Sequence, residues 1–122
     1  MKILVCGSRT WKDVLWIARA MTPYRMYYQN LSWVMGDCPT GADRLALEHA
    51  STNGDRIEFF KADWTRYKLR AGPLRNQAMI DVGPDLVLAF LDTGSPSPGT
   101  KDTIRRARKA GIPLVIHERR QG

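Results

Sequence analysis

Leu86-Val-Leu-Ala-Phe-Leu91 is an apolar run with no polar interruption, and it leads into the Gly/Ser/Pro/Thr stretch Gly94–Thr103 and a basic helical segment. A strand with one wet face alternates apolar and polar side chains, whereas an unbroken run suits a strand covered on both faces, as in a parallel sheet. Ile3–Cys6 reads the same way, and Leu31–Met35, Ile57–Phe60 and Ile112–Ile116 read as three further strands, with Pro113 marking an edge position or a strand start. Helical spacing fills the intervals. Asp13 can start a helix in which Val14, Ile17, Ala18 and Met21 form a stripe, and Ala42, Leu45, Ala46 and Ala50 form another, closed by Asn53-Gly54. A third helix is predicted from Pro73 or Leu74 with Ala78, Met79 and Val82 inward. A fourth is predicted from about Gly99 with Ile104 and Ala107 inward, ending at Gly111.

Strands joined by helices require right-handed parallel crossovers. The expected fold is α/β: a single Rossmann-like doubly wound domain over residues 1–122, with five mainly parallel strands and helices on both faces. In such sheets ligands sit beyond the carboxyl ends of the strands, where strand order reverses. Four loops fall on that side: Gly7-Ser8-Arg9, Gly36–Asp43, Ala71–Asn76 and Gly94–Thr103. A Gly/Ser/Thr turn entering a helix offers unpaired N–H groups and a partial positive charge, the ingredients of a phosphate site. The same glycines also serve as turn residues in their own right.

The net charge of +7 suggests an acidic partner, either nucleic acid or a phosphorylated small molecule. Much of the excess comes from Arg105, Arg106, Arg108, Lys109, Arg119 and Arg120, which a solvated helix face and tail also explain. The opening apolar run is too short for a membrane span or a signal-peptide core, so a cytoplasmic protein without membrane association is expected. Cys6 and Cys38 stand at no metal-ligand spacing from His49 or His117, so neither a metal nor a cofactor is expected. The two thiols read as small apolar filler near strand ends, close enough to meet if those strands are neighbours.

The ordered set Gly7-Ser8-Arg9, Gly36…Thr40-Gly41-Ala42-Asp43, Ala62-Asp63-Trp64, Ala71-Gly72-Pro73…Arg75-Asn76…Met79 and Gly99-Thr100 resembles the signature of the SLOG superfamily, in particular its YspA-like, cpYpsA-related branch of small bacterial and phage proteins. The resemblance implies a Rossmann-like fold with a pocket for nucleotides or molecules derived from them. Relatives include phosphoribohydrolases that cleave N-glycosidic bonds, predicted sensors of nucleotide signals, and a single-strand DNA-binding protein. In the hydrolase branch the last loop reads Pro-Gly-Gly-x-Gly-Thr-x-x-Glu, and an Arg opening the preceding helix works with the Glu. Arg75 resembles that Arg; Thr103 stands at the Glu position, with Asp102 one residue before it, and Pro96-Ser97-Pro98 replaces the double Gly.

Candidate ligand-binding residues are therefore Gly7, Ser8, Arg9, Gly36, Thr40, Gly41, Asp43, Asp63, Trp64, Arg75, Asn76, Gly99 and Thr100. Arg9 and Arg75 can fork onto phosphate oxygens. Ser8 and Thr100 can cap helices or donate to phosphate. Asp43 complements a helix dipole or meets ribose hydroxyls. Trp64 can stack on a base beside Asp63, or pack as a lid. Three functions compete: binding of a nucleotide-derived ligand, hydrolysis of an N-glycosidic bond with Arg75 and Asp102 as catalytic residues (Arg75 holding phosphate, and Asp102 or else Asp43 standing in for the Glu), and single-stranded nucleic-acid binding with Trp64 or Trp11 as a stacking platform. Relatives commonly pair through helices, so a homo-oligomer is expected, with Tyr24, Tyr27 and Tyr28 available for such a contact.

Overall fold

The computed structural model describes residues 1–121. Five strands, β1 (Lys2–Gly7), β2 (Ser32–Gly36), β3 (Arg56–Phe60), β4 (Leu86–Leu91) and β5 (Leu114–Glu118), form one sheet in the order β3-β2-β1-β4-β5. All four pairings are parallel. This is the α/β Rossmann-like arrangement, and the order reverses between β1 and β4. Pro113 lies immediately before edge strand β5, where a missing N–H is tolerated.

Alternation along the central strands sorts the core into two layers. Ile3, Val5, Trp33, Met35, Leu88 and Phe90 face one way and meet α1 (Val14–Tyr27) and α2 (Gly41–Thr52). Leu4, Cys6, Val34, Val87 and Ala89 face the other way and meet α4 (Ala71–Asp81) and α5 (Pro98–Lys109). The buried face of α2 carries Ala42, Ala46 and Ala50, small enough to let the helix lie close on the sheet. A Cβ on Gly7 would stand 2.4 Å from that of Ala42 and 2.7 Å from the Phe90 carbonyl, so only glycine fits there.

Three details differ from the sequence reading. In α1, Val14 is 55% exposed, and Ile17 and Met21 are joined in the core by Trp16, Ala20 and Tyr24. Trp16 displaces the Val14–Ala18 row because its large ring gains apolar cover and its indole N–H finds His117 Nδ1 at 3.0 Å. The third helix starts at Ala71 rather than at Pro73 or Leu74, after a short α3 (Trp64–Tyr67) and a 3-10 turn at Lys68–Arg70. Pro73 sits in its first turn, where no N–H is needed. Beyond its first two residues the buried positions are Asn76, Met79 and Ile80, with Ala78 and Val82 only half-buried. Tyr24 and Tyr28 pack against the core, and of the three tyrosines Tyr27 is the exposed one.

Candidate functional site

A crevice of about 380 Å³ opens at the carboxyl end of β1, between the starts of α2, α4 and α5. Of the residues singled out in the sequence, Gly7, Arg9, Asp43, Arg75, Asn76, Gly99 and Thr100 line it. The fold brings these together because the chain leaves the paired ends of β1 and β4 toward opposite faces of the sheet, leaving a gap that side chains from both layers border.

The helix starts distinguish this crevice from the rest of the surface. Asp13 caps α1 by accepting from Trp16 N, and Asp63 caps α3 by accepting from Arg66 N. By contrast α2 and α5 begin at Thr40 and Ser97 without any side-chain cap bond. Thr40 is exposed with its hydroxyl unused for capping, and Ser97 adopts the left-handed region at φ 48°. Their first turns therefore lack the side-chain acceptor that serves α1 and α3, and in α2 the Ala42 amide turns instead to the Ser8 carbonyl at 3.1 Å.

Arg9 is exposed and has no ion-pair or hydrogen-bond partner among the described residues. Arg75 differs. Its Nη1 pairs with Asp37 Oδ1, its Nε donates to Asn76 Oδ1 at 3.0 Å, and its guanidinium lies against Gly36, where a Cβ would be 2.9 Å from Nη1. Asn76 donates from Nδ2 to Asp102 Oδ2 at 3.1 Å.

Asp43, in the first turn of α2, is 8% exposed, and its Oδ1 is buried with no hydrogen-bond partner among the described residues. Burial pushes its carboxyl up to about 7, against the pull of the Arg75 and Arg9 charges and the Gly7 amide. Burial likewise drives the Cys6 thiol well above the ordinary thiol range, and Asp43 adds to it.

The remaining sequence candidates lie elsewhere. Ser8 is buried behind the crevice rather than in its lining, and its side chain caps no helix. Its Oγ contacts Ser97 Oγ and accepts from Asp92 N at 2.8 Å, while its carbonyl accepts from Trp11 N and Ala42 N at 3.2 and 3.1 Å. Thr100, by contrast, does line the crevice, from the first turn of α5 past the cap position. Gly41, at φ +75°, lies against the Ser8 carbonyl and the Arg9 backbone, and serves the turn. Gly36 backs Arg75. Trp64, 48% exposed, rests on Gly72 outside the crevice with Asp63. Trp11 is 2% exposed and packs edge-on against Phe90, so its ring offers no stacking platform. Asp102 does not line the crevice: it is held by Asn76, Arg105 and Arg106, the last at 2.9 Å.

Cys38, Ser95, Pro96, Ser97, Pro98 and Thr103 line the crevice from two of the four loops expected on that side, though not named as ligand-binding candidates, whereas Cys6 and Met79, read as apolar filler and as an inward helix residue, lie outside those loops. Helical spacing was a signal for Met79, which follows Asn76 by three residues. Cys6 and Cys38 are both free thiols.

The profile of the YspA, cpYpsA-related SLOG family matches residues 1–67. The gene 61 protein of Mycobacterium phage D29 is 38% identical, with the alignment covering 93% of this chain and 94% of that protein. The chain belongs to the YspA, cpYpsA-related SLOG family. For a SLOG protein a nucleotide-related ligand is the general expectation, and the similarity to a phage protein agrees with the small bacterial or phage branch. No helix among the described residues of this SLOG protein is long and apolar enough to cross a membrane.

Proposed function

We propose that the protein binds a nucleotide or nucleotide-derived ligand in the crevice at the carboxyl ends of the strands, acting as a sensor or a sequestering protein. The observation that carries this reading is the pairing of an unpartnered guanidinium, Arg9, with the uncapped starts of α2 and α5 around one cavity. Helix N–H groups and a fork-shaped cation together suit a phosphoryl group. The remaining wall, with Met79, Pro96 and Pro98, supplies apolar surface for a base or sugar.

On the α5 wall, where the hydrolase branch carries its Glu, no acid faces the crevice, which leaves Asp43 of α2 as the acid in the lining and favours binding over hydrolysis in the manner of that branch. Thr103 is 2% exposed and returns its hydroxyl to the Gly99 carbonyl at 3.3 Å, while Asp102 is engaged by two arginines outside the cavity. Single-stranded nucleic acid loses one of its two stacking platforms with the burial of Trp11.

The test is a thermal-shift screen at fixed salt over nucleoside mono-, di- and triphosphates, ADP-ribose, NAD, cyclic dinucleotides and a short single-stranded oligonucleotide. A ligand at a hundred times its Kd adds about 2.7 kcal/mol, which moves Tm by several degrees. A nucleotide hit that Arg9→Ala abolishes is the expected result; a shift with the oligonucleotide alone would replace the small-ligand reading.

A further inference from the structure

We propose that Asp43 is a proton-linked gate on the crevice: its carboxyl must be in the acid form for an anionic group to seat beside it, so anion binding takes up a proton. The proposal rests on the binding reading above and concerns how that site is regulated.

The geometry is that of a buried carboxyl group with no ion-pair partner among the described residues, drawn only partly toward ionisation by Arg75, the Gly7 amide and Arg9. Asp43 is more than nine-tenths buried, lines the crevice, and leaves Oδ1 without a partner among the described residues. Every packed element contributes to its surroundings. β1 offers the Cys6 thiol, held neutral by burial, and the Gly7 amide; the loop after β1 offers Arg9. The loop after β2 offers Asp37 and Cys38, α4 offers Arg75 and Asn76, and the loop before α5 offers only Ser95, Ser97 and prolines.

Charge counting over these groups gives the gate its direction. Arg75 and Asp37 pair with each other, so the balance rests on Arg9 and Asp43. With Asp43 ionised, Arg9 faces a negative neighbour and the cavity has no net attraction for an anion. With Asp43 protonated, Arg9 stands alone, and the neutral carboxyl can donate a hydrogen bond to an oxyanion. A bound anion in turn holds the proton on Asp43 more tightly, which is the reciprocal form of the same coupling. Because burial already places the free carboxyl at about 7, the switch falls in the range a cell visits.

Sulfate is the probe, since its charge is constant between pH 5 and 9 whereas inorganic phosphate titrates there itself. Calorimetric titrations are run from pH 5.5 to 8.5 in two buffers of different ionisation enthalpy, on the wild type, Asp43→Asn and Arg9→Ala. The Asp43 carboxyl carbon is followed by NMR in the free wild-type protein, so one arm is independent of how any variant folds. The expected result is proton uptake on binding and an affinity that falls by up to about tenfold per pH unit above neutrality. Asp43→Asn should hold the low-pH affinity across the range, which also separates Asp43 from His49 and His117, both outside the crevice.

The proposal is overturned if the Asp43 carbon titrates in the ordinary carboxylate range, or if sulfate binds equally, or not at all, at both ends of the range. Sulfate binding that survives Arg9→Ala overturns it too, by locating the anion elsewhere. Proton-coupled sulfate binding with no nucleotide hit would remove the nucleotide reading and leave the gate standing. Nucleotide binding with no pH dependence would remove the gate alone.

Discussion

The guanidinium of Arg75 faces Asp37, and the pair braces the start of α4 against the loop that follows β2. The two side chains are only 13% and 23% exposed, and the Arg75 stem fills the space beside Gly36. An arginine that looks free in the sequence is thus a strut in the fold, with Arg9 left as the uncommitted cation of the crevice.

Removing the strut should be costly. Arg75→Ala is expected to destabilise by about 1–3 kcal/mol, because it leaves a half-buried carboxylate unpaired. Urea denaturation of Arg75→Ala, Asp37→Asn and the double variant measures the coupling. Additive losses would show that the pair contributes nothing.

Asp43 and Asp55 should tilt the pH dependence of stability in opposite directions. The folded carboxyl of Asp43 titrates at about 7, above its unfolded value near 4, so the native state binds the extra proton and stability is lost as pH rises between the two. Asp43→Asn is expected to match the wild type below pH 4 and to gain an advantage on the order of 4 kcal/mol by pH 7, flat thereafter. Denaturation midpoints of the two proteins across pH 3.5 to 8 test the sign.

For Asp55 the order is reversed. Its carboxylate accepts from Arg25 Nε and Nη2 at 2.8 and 2.7 Å and from Trp33 Nε1 at 2.9 Å, and the Arg25 hydrogen bonds foremost hold it below the usual carboxylate range. This stabilisation is complete above the unfolded value near 4 and disappears as pH falls through the folded one. Asp55→Asn should cost about 1–3 kcal/mol at pH 7, and the deficit should close in acid.

Glycines with the same look in the sequence should behave differently when substituted. Gly7→Ala would drive its Cβ into Ala42 and the Phe90 carbonyl, and Gly41→Ala would combine φ +75° with a Cβ 2.3 Å from the Ser8 carbonyl. Each is expected to cost more than about 3 kcal/mol or to prevent folding. Gly99→Ala meets nothing within 4 Å and lies inside α5, so it should raise stability by about 0.5–1 kcal/mol. Tm values of the three variants decide the matter, and a destabilised Gly99→Ala would contradict the open space around it.

Runs such as Leu86–Leu91 reveal themselves because burial on both faces excludes polar residues, and the strand and helix alternation follows from them. The crevice was legible where glycine turns meet helix starts, as at Gly7, Gly99 and Thr100. What stayed hidden depends on side-chain direction. Nothing in Arg75-Asn76 says which of the two faces Asp37, and nothing in Asp102-Thr103 says that the acid turns toward Arg106 while the threonine lines the cavity. Periodicity was equally blind to the indole N–H of Trp16, whose bond to His117 sets the rotation of α1.

Ser8 ties three loops to one residue: its carbonyl receives the amides of Trp11 and Ala42, and its hydroxyl receives that of Asp92 and contacts Ser97. Such a knot makes the rim open as one cooperative event rather than loop by loop. The amides of Trp11, Ala42 and Asp92 should then exchange with deuterium at one common rate, and whatever enters the crevice finds its walls already drawn to their final spacing.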